Sequence, residues 1–198
     1  MTPQLYLARH GETEFNRQGR LQGRSDSPLT ERGFEQARRV GAAVARLRRA
    51  AGEEARWTLW TSPQPRAATT ASIIAEVAGL DPPCPDERLA EIGGGCFEGL
   101  TRDEVAARTP GQGVGGIQLL RAPDGEGYAA VEARLRSWLD TLAQAAPAIH
   151  LAVSHGGTGR VLRGLCLGLD RAALEALPVP QDALFRLHAG REQRIDCP

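Results

Sequence analysis

Short apolar runs alternate with helix-like segments along this chain, and the alternation constrains the fold more than any other feature. Leu5–Ala8 is an apolar run typical of a buried strand, and Arg56–Ser62 and Ile149–Val153 have the same character. Segments with helical spacing of small and apolar residues separate these runs. Strands that alternate with helices indicate an α/β fold with a mostly parallel sheet that is covered on both faces.

The helix boundaries follow from capping residues and breakers. Thr30 is placed to cap the first long helix and Gly52 to end it. Its predicted apolar stripe is Phe34, Ala37, Val40, Gly41, Val44 and Leu47. Further helices are predicted over Arg66–Ala78, Thr101–Arg108, Tyr128–Ala145 and Gly157–Leu167. Residues 11–29 and 79–100 are predicted to be irregular, and residues 183–196 to form a final edge hairpin.

Length and charge bound the domain organisation and the partners. The 198 residues suit a single domain over 1–198. The 24 basic and 24 acidic residues balance, which predicts no nucleic-acid or membrane partner. All the basic residues are arginines, a compositional bias that weakens any single arginine as a functional signal.

The four scattered cysteines lack the spacing of a zinc or redox site, and we see no signal peptide, so we expect a cytoplasmic protein.

Polar residues follow three of the predicted strands. The first strand ends in Arg9 and His10, the second in Ser62 with Arg66 one helical turn further on, and the third in His155. Ligands of open α/β sheets bind beyond the carboxyl ends of the strands. Neighbouring strands would therefore bring two histidines and two arginines into a cationic pocket, where guanidinium groups can bind a phosphoryl group.

Two histidines in a cationic pocket suggest phosphoryl transfer through a covalent intermediate. One neutral imidazole can attack phosphorus, and the other, protonated, can stabilise the transferred oxygens. The reaction also needs a proton donor for the leaving alkoxide and a base for water. Glu91 is a candidate for that role and Glu98 is its rival. The set contains no metal-ligand pattern, so we expect neither a metal nor a cofactor.

Other residues and motifs have simpler interpretations. His150 lies within a predicted strand and His188 lies late in the chain, and both are interpreted as structural. Residues Gly111–Gly116 satisfy the pattern G-x-G-x-x-G, but they do not follow a strand and no helix is predicted behind them. We therefore interpret this stretch as a flexible loop.

Four motifs together resemble a known family. The stretch "ARHGETEFNRQGRLQGRSDSPLTERG" is followed by "TSPQPRAATTA", "DERLAEIGGGCFEG" and "VSHGGTGRVLRGL". In this order they closely resemble the histidine phosphatase superfamily, in its phosphoglycerate-mutase-like branch. The resemblance implies a three-layer α/β/α sandwich with a mostly parallel central sheet and no required metal.

The resemblance also implies roles for individual residues. His10 would be the phosphorylated nucleophile and Glu91 the general acid and base. Arg9, Arg66 and His155 would complete the phosphate pocket. Further residues align with positions that contact the substrate: Asn16, Thr13, Gln22, Gly23 and Gly156.

The resemblance leaves three functions open. The chain is similar to phosphatases that act on small phosphorylated metabolites, including the α-ribazole phosphatase type and broad-specificity enzymes. It carries neither the longer insertion after the Glu91 motif nor the closing tail of true mutases, which favours hydrolysis over a cofactor-dependent phosphoglycerate mutase. A noncatalytic phospho-ligand-binding module is the third reading, which the presence of both His10 and Glu91 disfavours. A monomer and a homodimer fit the sequence equally.

Overall fold

The computed structural model describes residues 4–112, 115–146 and 148–198, and its strands in these ranges form one mixed sheet. The strands are β1 (Gln4–Arg9), β2 (Trp57–Thr61), β3 (Cys84–Pro85), β4 (Ile149–Ser154), β5 (Ala183–His188) and β6 (Arg191–Asp196). Their order across the sheet is β3–β2–β4–β1–β5–β6. The pairs among β3, β2, β4 and β1 are parallel, whereas β5 is antiparallel to both β1 and β6. The predicted hairpin is therefore confirmed.

Helices cover both faces of this sheet, as the alternation predicts. The helices are α1 (Glu14–Arg17), α2 (Glu31–Ala51), α3 (Pro65–Ala78), α4 (Arg102–Arg108), α5 (Tyr128–Gln144), α6 (Gly156–Leu167) and α7 (Arg171–Glu175). No helix in the described ranges combines the length and the apolar character that crossing a bilayer requires.

Two apolar clusters hold the three layers together. Side chains alternate across a strand, so β1 sends Tyr6 to one face and Leu7 to the other. Tyr6 belongs to a cluster that includes Val44 of α2 and Ile74 of α3. Leu7 belongs to the second cluster, which includes Trp138 of α5. The predicted three-layer α/β/α sandwich is confirmed.

The predicted boundaries of the first long helix are confirmed. Thr30 is the N-cap of α2, and its Oγ1 accepts a hydrogen bond from the Gly33 amide at 3.1 Å. Gly52 ends the helix with a φ of 86°, a conformation that glycine adopts without strain. Phe34 was wrongly placed in the core and is 37% exposed. The Gly33 side of α2 faces the loop closely, since a Cβ on Gly33 would lie 2.1 Å from the Glu12 carbonyl oxygen. This orientation of the helix leaves Phe34 at the protein surface.

Three segments hold more regular structure than we predicted. Residues 11–29 include α1, which begins at a capping box formed by Thr13 and Asn16. Residues 79–100 include the short strand β3 and two 3-10 turns, Glu87–Leu89 and Gly95–Phe97. A 3-10 turn, Gln118–Arg121, follows the glycine-rich stretch, although Gly113 and Val114 of that stretch lie outside the described residues.

Candidate active site

Three parallel strands end side by side and place their following residues at one edge of the sheet. β4 lies between β1 and β2, and Arg9 is in register with Ser154. The His10 amide donates to the Ser154 carbonyl at 3.0 Å, and the Ser62 amide donates to the Val153 carbonyl at 3.0 Å. These bonds continue the sheet beyond the strands and hold the rings of His10 and His155 with their centroids 5.1 Å apart.

The hydrogen bond of His10 determines which ring nitrogen is free. His10 Nδ1 lies 2.8 Å from the Gly11 carbonyl oxygen. Because a carbonyl oxygen only accepts, Nδ1 must carry the proton. The neutral ring therefore keeps its lone pair on Nε2, the nitrogen available for attack on an electrophile. Gly11 itself allows this geometry, since a Cβ there would lie 2.3 Å from the Gly33 carbonyl oxygen.

His155 is held on one side only. Its Nε2 lies 2.7 Å from Ser62 Oγ, a hydroxyl that also accepts from the Gln64 amide at 3.3 Å. Its Nδ1 is buried and has no hydrogen-bond partner among the described residues. Such an atom costs free energy unless a ligand pairs with it.

Two arginines flank the histidines: Arg9 is partly buried, whereas Arg66 is buried and ion-paired with Asp26 at 3.2 Å. Arg9 Nη1 donates to the Val179 carbonyl at 2.8 Å. Arg66 follows Pro65 in the first turn of α3 and donates from Nη2 to the Gly23 carbonyl at 2.9 Å. In the described structure the Nε atoms of both arginines are buried without a partner. Paired N–H donors of this kind fit an oxyanion.

The electrostatics of the pocket keep both imidazoles neutral. Burial, followed by the charges of Arg9 and Arg66, holds the pKa of His10 well below its ordinary value, against the opposing effect of the Gly11 carbonyl. Burial and then the charges of Arg66 and Arg9 lower the pKa of His155 in the same way. Burial also lowers the pKa of Arg9 to about 10, although the charge of Glu91 opposes this. The positive charge beside the two imidazoles therefore comes from Arg9 and Arg66.

Glu91 reaches this pocket from the loop that follows β3. Its carboxylate accepts hydrogen bonds from the amides of Ile92, Gly157 and Thr158 at 3.0, 3.1 and 2.9 Å, and from Thr158 Oγ1 at 3.1 Å. Two of these amides belong to the first turn of α6, where the helix dipole stabilises negative charge. Glu91 is 7% exposed and lines the same cavity as His10.

Glu98, the alternative candidate for the proton donor, forms hydrogen bonds outside the cavity. It accepts from the amides of Arg24, Ser25 and Gly94 and from Ser25 Oγ. Partial burial alone would raise the pKa of Glu98, but the Ser25 hydroxyl and these amides together lower it. Glu98 does not line the cavity and instead ties the loop at residues 23–25 to the 3-10 turn at 95–97.

The remaining predicted residues divide into two groups. Asn16, Gln22 and Gly156 line the cavity. Thr13 and Gly23 do not line it and act through neighbours: Thr13 Oγ1 accepts from Gln22 Nε2 at 2.7 Å, and the Gly23 carbonyl accepts from Arg66.

Sequence reasoning missed several residues at the site. Gln181 Nε2 donates to the His10 carbonyl at 3.1 Å and to Asn16 Oδ1 at 2.8 Å. Three further arginines line the cavity: Arg20, Arg102 and Arg160. Arg20 and Arg160 lie within the motifs that resemble the family. Because all basic residues of the chain are arginines, neither one was strong evidence for a functional residue.

The last glycine of the glycine-rich stretch and the residues that follow it form part of the site wall. Gly116 and the turn that follows it, including Ile117 and Gln118, line the cavity. The Ile117 amide donates to Glu175 Oε2 at 3.4 Å, and the Gly116 carbonyl accepts from Arg160 at 3.2 Å. The described part of this stretch is irregular, as a loop is expected to be, but the 3-10 turn Gln118–Arg121 follows it, so the expectation of no helix behind it was wrong.

The two other histidines lie away from the pocket. His150 is buried in β4, and its Nδ1 accepts from Trp60 Nε1 at 3.3 Å. His188 ends β5 and is exposed. Neither lines the cavity. His155 does not line it either, but its ring lies 5.1 Å from that of His10, which does.

Fold and site together define a phosphoglycerate mutase-like α/β protein with a two-histidine, arginine-rich pocket at the carboxyl edge of its sheet. Residues 5–195 match the family model of the histidine phosphatase superfamily, branch 1. The chain belongs to this superfamily.

Named relatives and solved structures are similar to this chain over nearly its whole length. A probable phosphoglycerate mutase GpmB from Salmonella arizonae is 34% identical over 200 residues, which cover 98% of this chain and 84% of the relative. A mycobacterial glucosyl-3-phosphoglycerate phosphatase solved with VO3 has a TM-score of 0.77 and 29% identity, and covers 98% of both chains. A putative alpha-ribazole-5'-P phosphatase from Escherichia coli has a TM-score of 0.75 at 22% identity over 100% of this chain and 96% of its own, which shows the common fold alone.

Proposed function

We propose that the protein hydrolyses small phosphomonoesters without a metal, through a phosphohistidine formed on His10. The observation that carries this proposal is the set of buried nitrogens without partners around the His10 ring, in Arg9, Arg66 and His155. The Nε–H groups of Arg9 and Arg66 are donors for phosphoryl oxygens beside a neutral His10 Nε2, and His155 becomes a further donor when it is protonated.

The first half-reaction transfers the phosphoryl group to the protein. His10 Nε2 forms a bond to phosphorus as the bond from phosphorus to the ester oxygen breaks. Arg9 and Arg66 stabilise the charge on the non-bridging oxygens, and Glu91 gives a proton to the leaving alkoxide. This step requires the protonated form of Glu91, with the proton taken up from solvent as the substrate binds. The phosphoryl dianion also favours a protonated His155 beside it.

The second half-reaction regenerates the free site. Glu91, now ionised, takes a proton from water as the water oxygen attacks phosphorus. The bond from phosphorus to Nε2 breaks, and inorganic phosphate leaves. Two easier steps through one covalent intermediate thus replace one difficult displacement.

A phosphoglycerate mutase is the second candidate. The name of the Salmonella arizonae relative, a probable phosphoglycerate mutase, favours it. The name of the mycobacterial phosphatase favours hydrolysis. Both reactions use the same phosphohistidine, and they differ in whether water or a second substrate hydroxyl accepts the phosphoryl group.

A panel of phosphomonoesters assayed with EDTA tests the proposal. We expect phosphate release by the wild type, and a loss of roughly a thousandfold or more in His10→Asn, which removes Nε2 but keeps a donor for the Gly11 carbonyl. His150→Asn keeps an acceptor for Trp60 and serves as the matched control with wild-type turnover. No turnover by the wild type, or equal turnover by His10→Asn, contradicts the proposal. Mutase activity on 3-phosphoglycerate that exceeds phosphate release favours the second candidate.

A further inference from the structure

Gln181 contacts two residues of the site but has no part in the proposed reaction. It lies between α7 and β5 and does not line the cavity itself. Its Nε2 donates to the His10 carbonyl at 3.1 Å and to Asn16 Oδ1 at 2.8 Å. A single side-chain amide therefore connects the backbone of the proposed nucleophile to a second residue of the cavity.

The His10 carbonyl determines how the Gln181 amide is turned. A carbonyl oxygen only accepts hydrogen bonds, so Gln181 must face it with its NH2 group and not with Oε1. One N–H of that group pairs with the carbonyl, and the other N–H is left for Asn16. Gln181 therefore reaches Asn16 as a donor.

The backbone of Thr13 determines the orientation of the Asn16 amide independently. The Thr13 amide only donates, and it lies 3.3 Å from Asn16 Oδ1. Gln181 places a second donor on the same oxygen, so each of its two lone pairs has a partner. The Asn16 amide cannot turn over without setting its own N–H groups against these two donors.

This orientation leaves the NH2 group of Asn16 for a ligand. Asn16 lines the cavity together with His10. Within the described ranges, the hydrogen bonds of its side chain all end on Oδ1, and none involves Nδ2. Its two N–H groups are therefore available to the oxygens of a bound phosphoryl group.

We propose that Gln181 is a positioning residue for phosphoryl transfer: it holds the Asn16 amide so that Nδ2 donates to the phosphoryl group, and it fixes the His10 backbone through the same NH2 group. Donors that are oriented in advance stabilise the reacting group without a cost of reorientation. The inference rests on the proposed function, because it takes the phosphoryl group to lie beside His10.

The composition of the chain provides a direct test, because Asn16 is its only asparagine. Protein labelled isotopically on the asparagine nitrogens gives one side-chain NH2 pair in a heteronuclear NMR spectrum. Saturating inorganic phosphate should shift this pair in the wild type. Gln181→Met keeps the length of the side chain and removes both donors, so the same pair should respond much less to saturating phosphate.

Calorimetry measures the affinity for inorganic phosphate in the same variants, at one fixed ionic strength. Gln181→Met should bind phosphate about tenfold more weakly than the wild type, since this is the worth of a hydrogen bond to a charged group. Gln181→Glu, which also lacks the NH2 group, is the second variant if Gln181→Met does not fold. Gln193→Met is the matched control with wild-type affinity, because Gln193 is exposed on β6 and does not line the cavity.

A double-variant cycle shows whether Gln181 acts through Asn16. Asn16→Ala combined with Gln181→Met should bind phosphate about as weakly as Asn16→Ala alone, whereas a purely structural role would make the two losses additive. Thermal melts show that each variant is folded.

Additive losses, wild-type affinity in the Gln181 variants, or an NH2 pair that does not respond to bound phosphate would overturn the inference alone. No phosphate binding by the wild type would contradict the proposed function, and the inference with it.

Discussion

The two ends of strand β4 each carry a buried histidine, and they differ in what surrounds it. His150, near the start, and His155, just past the end, are each 2% exposed. His150 accepts a hydrogen bond from Trp60, and burial is the one cause that lowers its pKa. His155 has charged neighbours, and its Nδ1 has no partner in the described structure.

This contrast separates a structural histidine from one in a binding site. Equal burial gives no information, because an imidazole with a satisfied hydrogen bond is an ordinary core residue. What differs is the collection of positive charge and unpaired donors at the carboxyl edge of the sheet. The parallel strands produce this difference, since the segments that follow β2 and β3 and carry Arg66 and Glu91 leave from that edge.

Among these predictions, the largest difference in activity is expected between variants of two carboxylates, Glu91 in the cavity and Glu98 outside it. Glu91→Gln removes the proposed proton donor, so hydrolysis of alkyl phosphates should fall by about a hundredfold or more. Hydrolysis of p-nitrophenyl phosphate should fall far less, because its leaving group needs little protonation. Steady-state rates on both ester types measure the difference.

Glu98→Gln is the matched control for this experiment. Glu98 holds a loop by hydrogen bonds, so its variant should lower stability and slow both esters alike. Equal slowing of both esters by Glu91→Gln would instead move the acid role to another group.

A smaller effect concerns stability at acidic pH. The folded protein holds His10 and His155 with pKa values below their ordinary value near 6.5, so the unfolded chain binds more protons. Stability should therefore fall as the pH drops below about 6.5, by up to about 1.4 kcal/mol per pH unit for each such histidine. Urea denaturation between pH 7 and 5 measures this slope.

Inorganic phosphate provides a further test of the difference between the two ends of β4. An anion bound beside His155 offsets the neighbouring charges, so saturating phosphate should flatten the pH dependence of stability. His150→Asn should leave this phosphate effect unchanged, whereas His155→Asn should reduce it. A phosphate effect that depends on His150 would contradict the division between the two ends.

Much of this site could be predicted because it follows from short-range patterns. Apolar runs located the strands, and parallel pairing brought Arg9, His10, Ser62 and His155 to one edge. Arg66 followed from its place one turn into the next helix. The resemblance then singled out Glu91 within an irregular segment, and the structure places it in the same cavity.

The missed features depend on contacts between distant segments. Arg102 and Gln118 meet across the glycine-rich stretch, which has no periodicity to indicate a wall. Helix α1 has only four residues and too few turns for an apolar stripe. The exposure of Phe34 depends on how closely Gly33 approaches the Glu12 backbone. The spacing of apolar residues along a helix gives no information about such an approach.

Direct detection of the phosphorylated residue is the measurement that tests the central claim most directly. Wild-type protein mixed with a phosphomonoester, quenched rapidly in base to preserve phosphohistidine, is digested and mapped by mass spectrometry. We predict one phosphoryl group on the peptide that contains His10, absent from His10→Asn and still present in His150→Asn. Phosphorylation of His150 or His155 in its place, or turnover with no phosphorylated histidine under conditions where phosphoenzyme breakdown is slowed by Glu91→Gln, would contradict the account.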